Sequence, residues 1–259
     1  MSEMISDSLR TSDDHVIHYD LYRNGHRRVV IIAPGFFNSK EGVLLKELGQ
    51  TLVDQYDVLI MDFRGHGRSS GLFHWTSREY LDLQAVLTYA NTQYESIGVI
   101  GFSLGAATTI ITASQTDSID TVIAISAPTD FWKIDYRLWE FDVENHILFT
   151  WLGPGRLSRG VRPGPFWLKK EEPIQRVEQL KCPIFYIHGE EDWLITARHS
   201  EELYKKTPTP KRLAIIKNGP HAEFLIRRNK QEMVELIRTW LSETLPRPMA
   251  KTENGQHEV

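Results

Sequence analysis

The chain has 259 residues, enough for one large α/β domain with a substantial core or for two small domains. Its hydrophobic share of 41% and charged share of 25% are those of a globular protein and argue against a disordered or fibrous chain. A formal net charge of −4 gives no global attraction for nucleic acid or an anionic membrane, and the single cysteine, Cys182, excludes an internal disulfide.

The first residues, MSEMISDSLRTSDD, carry neither the basic segment nor the apolar stretch of a secretory signal, and no apolar run approaches the ~18 residues of a membrane span. A cytoplasmic location is therefore expected. Residues 16–22 (VIHYDLY) alternate in character behind the turn cluster Ser12-Asp13-Asp14, which predicts an N-terminal hairpin with the segment before them. Residues 29–33 (VVIIA) end at Pro34-Gly35 and are apolar on both faces, the pattern of a buried strand. Leu44, Leu48, Leu52 and Tyr56 recur at helical spacing, and 57–63 (DVLIMDF) predict a second buried strand. Thr76 and Glu79 have capping-box spacing, ahead of a helix with Tyr80, Leu83, Leu87 and Ala90 on one face. A strand at 97–100 follows. Further buried strands are predicted at 121–126, 183–188 and 212–217, with a helix at 198–206 between the last two. A final helix places Met233, Ile237, Trp240 and Leu241 on one stripe.

This alternation predicts an α/β fold: a mostly parallel central sheet with helices on both faces, entered through the hairpin. The interval 127–181 is far longer than the usual connection of ~4–6 residues. Residues 172–180 can supply the ordinary crossover helix. The rest is expected to form a cap, so that 1–245 is one domain with a cap insertion at about 127–172. From Pro246 the tail is polar and Pro-broken, and disorder is expected there.

The strand at 97–100 runs into Gly101-Phe102-Ser103-Leu104-Gly105 and at once into 104–113 (LGAATTIITA), apolar nearly all round, as a buried helix should be. A serine at such a strand-to-helix turn projects its oxygen above the sheet edge. The flanking glycines permit the sharp turn, and the helix N-terminus offers N–H groups to a developing oxyanion. A Gly-rich turn without chemistry has the same appearance locally, so the rest of the chain decides.

A serine hydroxyl needs a base, and the base an orienter. Asp192 follows the strand ending at His188, and His221 follows the strand ending near Lys217. Both loops lie at C-terminal strand ends, the edge where open parallel sheets bind ligands. Asp130, after the strand at 121–126, is the rival acid, although Ser-Ala-Pro-Thr-Asp also suits a helix cap. Glu190 and Glu191 read as solvated loop carboxylates, His66 and His188 as packed or hydrogen-bonded residues. No cluster has recognised metal-ligand spacing.

Four motifs in order carry a resemblance: Pro34-Gly35-Phe36, then Asp62-Phe63-Arg64-Gly65-His66-Gly67-Arg68-Ser69, then Gly101-Phe102-Ser103-Leu104-Gly105, then His188-Gly189 with Asp192, followed by His221. Over roughly 16–245 the chain resembles the serine-nucleophile branch of the α/β-hydrolases, nearest in pattern to small esterases, thioesterases and the serine aminopeptidase-like group. The resemblance implies Ser103 as nucleophile, His221 as general base then acid, and Asp192 as its orienter. It implies an oxyanion hole from the backbone N–H groups of Phe36 and Leu104. It implies hydrolysis of a carboxylic ester of a small or medium acyl substrate through an acyl-enzyme, with no cofactor or metal. The implied partner is a small-molecule acyl substrate, with neither nucleic acid nor membrane. Thioester hydrolysis, aminopeptidase-like cleavage and a non-catalytic binding role stay open, as does oligomeric state. Pro34 stands where many relatives carry His, which alters the bracing of the loop but leaves the Phe36 N–H in place. Phe36 and Phe37 also differ from the Gly-Gly-Gly version of this loop.

The expected cap holds Trp132, Trp139, Trp151 and Trp167, either as an acyl-selecting wall or as anchors for packing. Its basic run, Arg156, Arg159, Arg162, Lys169 and Lys170, is either an anion-attracting patch or a solvated face. Glu140, Asp142 and Glu144 are the carboxylates a peptidase would use to hold a substrate ammonium. Cys182 reads as a small buried residue.

Overall fold

The computed structural model describes residues 3–131, 161–165 and 167–246. Its strands are β1 (Glu3–Arg10), β2 (Val16–Arg23), β3 (Arg28–Ala33), β4 (Asp57–Met61), β5 (Ser96–Phe102), β6 (Thr121–Ile125), β7 (Ile184–Gly189) and β8 (Lys211–Ile216). They form one eight-stranded sheet in the order β1-β2-β4-β3-β5-β6-β7-β8. β1 and β2 are the expected antiparallel hairpin, β2 pairs antiparallel with β4, and every later pairing is parallel. The C-terminal ends of β3 to β8 therefore share one edge.

The described α-helices are α1 (Val43–Leu52), α2 (Glu79–Gln93), α3 (Leu104–Ala113), α4 (Pro173–Arg176), α5 (Ala197–Lys206), α6 (Phe224–Arg228) and α7 (Lys230–Thr244). They cover both faces. On one, Leu83, Val86 and Leu87 of α2 and Ile110 of α3 pack with Val29, Ile31 and Ala33. On the other, Leu45, Leu48 and Leu52 of α1 and Met233, Ile237, Trp240 and Leu241 of α7 pack with Val30 and Ile32. This two-sided burial is why the central strands read as continuous apolar runs rather than alternating ones. Each large aliphatic side chain in these layers is worth ~2–5 kcal/mol against truncation to alanine.

Every residue of α3 is buried. Two of its three threonines bond back into the helix, Thr109 Oγ1 donating to Gly105 O at 2.7 Å and Thr112 Oγ1 to Thr108 O at 2.8 Å, whereas the buried Thr108 hydroxyl has no partner among the described residues. A buried hydroxyl left without such a partner costs ~1–3 kcal/mol.

Three local expectations are corrected. Thr76 and Glu79 form no capping box: Thr76 has φ +73°, and its hydroxyl donates to Glu171 O at 3.0 Å. The buried Glu79 carboxylate instead accepts the His74 N–H at 2.6 Å, because the turn ahead of α2 has backbone donors of its own to satisfy. β8 is an edge strand and half-exposed along most of its length, since it pairs with β7 alone. The crossover helix expected at 172–180 is one α turn, α4, continued by a 3₁₀ turn at Val177–Gln179. α6 is a short helix that the sequence pattern did not suggest.

Candidate active site

Ser103 sits between β5 and α3 with φ +51° and ψ −111°, and its N–H donates to Ile125 O at 2.8 Å. A side chain at positive φ is strained by ~1–3 kcal/mol, and the turn survives because its neighbours hold it. The flanking glycines are required by contact. A Cβ at Gly105 would lie 2.1 Å from Ala33 O, and one at Gly101 would lie 2.6 Å from Ala106 Cα. α3 thus starts directly against β3 and β5, with its N-terminus beside the Ser103 hydroxyl.

Two further loops meet that hydroxyl. Ser103 Oγ lies 3.0 Å from His221 Nε2, and His221 Nδ1 lies 2.7 Å from Asp192 Oδ2. Because Nδ1 faces a carboxylate, it is the nitrogen that carries the proton, leaving Nε2 to accept from Ser103. Asp192 is pinned in turn: its Oδ1 accepts the N–H groups of Ile195 at 2.9 Å and Leu194 at 3.1 Å. Its Oδ2 lies 3.2 Å from His188 Nε2.

Burial alone would raise the Asp192 carboxyl, but His221 and His188 together outweigh it and hold the group well below the usual carboxylate range. Burial would also lower His221, yet Asp192 and then Glu223 raise it above the ordinary imidazole value. A buried carboxylate kept ionised beside an imidazole of raised basicity can stabilise an imidazolium as that forms.

The loop after β3 closes the site on its other side. A Cβ at Gly35 would lie 3.4 Å from Ser103 Cβ and 3.2 Å from Phe102 O, so the chain entering Phe36 runs against the elbow. The Phe36 ring packs on Phe73 and Trp75, with centroids at 5.0 and 5.4 Å, and Phe37 at φ +62° is exposed. Ser103, Asp192, His221 and the two backbone positions Phe36 and Leu104 are therefore brought to one place.

Other expected residues fall elsewhere. The carboxylate against His221 Nδ1 is Asp192, while Asp130 is buried after β6. His188 is fully buried, with Nε2 2.6 Å from Ile195 O and Nδ1 2.7 Å from Ser200 Oγ. His66 places Nδ1 3.0 Å from Arg64 O, and burial lowers its imidazole to about 4. Glu190 Oε2 accepts the Asn218 N–H at 3.1 Å, so it stitches the Asp192 loop to the His221 loop. Arg162 spends its guanidinium on the carbonyls of Gly67, Ser69 and Gly71, a brace rather than an anion site. Trp167 is 74% exposed, and burial pushes the Cys182 thiol up to about 12. Among the described residues, no three His, Cys, Asp or Glu side chains form a group able to hold a metal. Trp132, Trp139, Trp151, Arg156, Arg159, Glu140, Asp142 and Glu144 lie outside the described residues.

Asn38, Ser126 and Glu223 escaped the sequence reading. Ser126 Oγ accepts the Ala222 N–H at 2.9 Å, and Asn38 Nδ2 donates to Glu223 Oε1 at 2.8 Å. No local pattern flags them; each matters through a partner distant in the chain.

Comparison with known proteins agrees with this architecture. The profile of the alpha/beta hydrolase fold family matches residues 28–147. The esterase Pf2001 of Pyrococcus furiosus superposes with a TM-score of 0.77 at 23% identity, covering 95% of this chain and 94% of that one. The esterase RhEst1 from Rhodococcus sp. ECU1013 superposes with a TM-score of 0.76 at 16% identity, covering 94% of this chain and 100% of that one. The chain has the α/β-hydrolase fold. In sequence it is 29% identical over 176 residues to the uncharacterized protein YqkD of Bacillus subtilis (strain 168), covering 64% of this chain and 56% of that relative. The match thus spans little more than half of YqkD. Among the described residues, no helix is long and apolar enough to cross a membrane.

Proposed function

We propose that the chain is a serine hydrolase that cleaves a carboxylic ester of a small or medium acyl group through an acyl-enzyme. The observation that carries this reading is the line Ser103 Oγ–His221 Nε2, 3.0 Å, and His221 Nδ1–Asp192 Oδ2, 2.7 Å, ending at the N-terminus of α3. Ser103 Oγ attacks the ester carbonyl while His221 Nε2 takes its proton. The oxyanion is held by the N–H groups of Phe36 and Leu104, each worth ~10²–10³ in turnover. His221 then protonates the leaving alkoxide, the C–O bond breaks, and the alcohol departs. Water repeats the sequence on the acyl-enzyme: His221 takes its proton, the acid leaves, and Ser103 regains its hydrogen.

An ester is the substrate class in keeping with the solved esterases that share this fold. In this reading the chain to residue 245 is one hydrolase domain, and the insertion at about 127–172 tunes substrate choice.

The test is steady-state turnover of p-nitrophenyl esters of increasing acyl length, with Ser103→Ala as control, alongside labelling by a fluorophosphonate. Serine-dependent turnover and labelling of Ser103 are expected. Folded protein that neither labels nor turns over any ester, thioester or peptide would leave the binding-protein reading in its place.

A further inference from the structure

The site contains a buried carboxylate that the hydrolytic steps above do not use. Glu223 stands two residues after His221 and is only 6% exposed. Its Oε1 accepts a hydrogen bond from Asn38 Nδ2 at 2.8 Å, across 185 residues of chain. Asn38 is itself buried and built into the oxyanion loop. Its N–H donates to Gly35 O at 3.1 Å, and its Oδ1 accepts the Ser39 N–H at 2.9 Å. The other carboxylate oxygen of Glu223 lies 3.8 Å from where a Cβ on Gly35 would stand. The carboxylate is therefore bonded to the loop at Asn38 and lies beside the turn at Gly35.

Both loops need an external hold. Phe37 has φ +62° and Ala222 has φ +48°, backbone conformations that side chains of this kind avoid. The His221 loop has one tether to the sheet edge in the Ala222 N–H to Ser126 Oγ bond at 2.9 Å. Asn38–Glu223 joins it directly to the loop that carries the Phe36 N–H.

We propose that Asn38 and Glu223 are positioning residues: their hydrogen bond is a strap that fixes the oxyanion loop against the His221 loop, so that proton transfer and oxyanion binding occur in one rigid frame. The role rests on the serine-hydrolase reading. It has two separable parts. The hydrogen bond sets geometry, and a small misplacement of catalytic groups costs up to ~10²-fold in rate. The charge of Glu223 adds to that of Asp192 in favouring the imidazolium of His221. The groups facing that ring are Asp192 from the loop after β7, Glu223 from its own loop, the Ser103 hydroxyl and the indole of Trp193. His188 acts on it through Asp192.

The experiment compares kcat, KM, pH profile, fluorophosphonate labelling rate and melting temperature for wild type, Asn38→Ala, Glu223→Ala, the double variant and Glu223→Gln. Asn38→Ala is expected to lower kcat by ~10–10²-fold with KM nearly unchanged. Glu223→Ala should add far less loss in the Asn38→Ala background than in wild type, because the shared bond is already gone. Glu223→Gln keeps an acceptor for Asn38, so it should retain most of kcat while the acid limb of kcat/KM moves to lower pH.

Wild-type kcat and pH profile in Asn38→Ala and Glu223→Ala, with the wild type labelling normally at Ser103, would overturn the strap and leave the hydrolase reading standing. A lowered melting temperature with wild-type kcat per titrated active site would also overturn it, as a purely structural contact. A wild-type protein that neither labels nor turns over would overturn the hydrolase reading and the strap's catalytic role together.

Discussion

Two clusters of buried charge sit at the same edge of the sheet, one after β4 and one across the loops after β5, β7 and β8, and they are built in opposite ways. Around Arg64 the charges close on themselves. Its N–H and Nε donate to Asp82 at 2.8 Å each, Nη1 and Nη2 donate to Asp13 at 2.7 and 3.0 Å, and Nη2 also reaches Asp82 at 2.7 Å. The guanidinium is 0% exposed and spends its donors within the cluster. The second cluster runs in one direction, from the backbone donors of Ile195 and Leu194 through Asp192 and His221 to the Ser103 hydroxyl. A closed cluster braces; an open-ended line with a titratable centre can pass a proton. Burial and charge are common to both, so neither alone marks a site.

Strain gathers at the edge that both clusters share. Among the described residues, positive φ outside glycine occurs at Asp14, Phe37, Trp75, Thr76, Ser103, Ser126, Asn218 and Ala222. All but Asp14 lie in loops that follow the C-terminal ends of β3, β4, β5, β6 and β8. Cross-loop bonds such as Ser103 N–H to Ile125 O and Ala222 N–H to Ser126 Oγ hold them there.

Substitutions in the two clusters should differ in what they cost, activity in one and stability in the other. The largest effect is expected at the open end: Ser103→Ala should lower ester turnover by ~10⁶-fold while leaving the urea midpoint nearly unchanged. Next, Asp192→Asn should cost ~10⁴-fold in kcat, because the amide no longer holds the tautomer with the proton on His221 Nδ1. In the wild type, kcat/KM should fall with acid below a pKa above 6.5, since Asp192 and Glu223 outweigh burial and raise His221. An acid limb below that value would contradict the assignment of His221 as base.

The closed cluster should respond in stability instead. Arg64→Met leaves the fully buried Asp82 carboxylate without its cation and should cost about 3–5 kcal/mol by urea unfolding, with kcat per titrated active site retained. A large fall in kcat at full folding would instead make the Arg64 cluster part of the chemistry.

The smallest effect concerns His66, whose ring lies edge-on to Phe36 and Phe73. The unfolded imidazole takes up its proton near 6.5 and the folded one only near 4, so between these values the unfolded state holds more protons. Acidification across that window should therefore destabilise the fold, by on the order of 3 kcal/mol in total. His66→Phe should flatten this part of the stability profile, and an unchanged slope would mean that the ring is not held neutral by burial.

What could be read in the chain and what could not divides by the distance over which the cause acts. α3 is legible to the residue at 104–113, because ten uncharged residues directly after a strand and a Gly-x-Ser-x-Gly turn fit a helix buried on all sides. The stripe Met233, Ile237, Trp240 and Leu241 is the buried face of α7 for the same local reason. The capping box failed because Thr76 and Glu79 found better partners in Glu171 and His74. β8 failed as a buried strand because edge position depends on what pairs beside it, and its own residues are apolar enough for either setting.

Local sequence carried the order of the strands and of the longer helices, the elbow at Ser103 and the loops that hold Asp192 and His221. Hydrophobic period, glycine placement and turn chemistry act within a few residues of one another. The tertiary structure put Asp192 within 2.7 Å of His221, and it alone showed that Arg162 is a brace and that Glu223 reaches Asn38. Those are contacts between residues far apart in the chain, set by sheet order and loop packing, which no local spacing encodes.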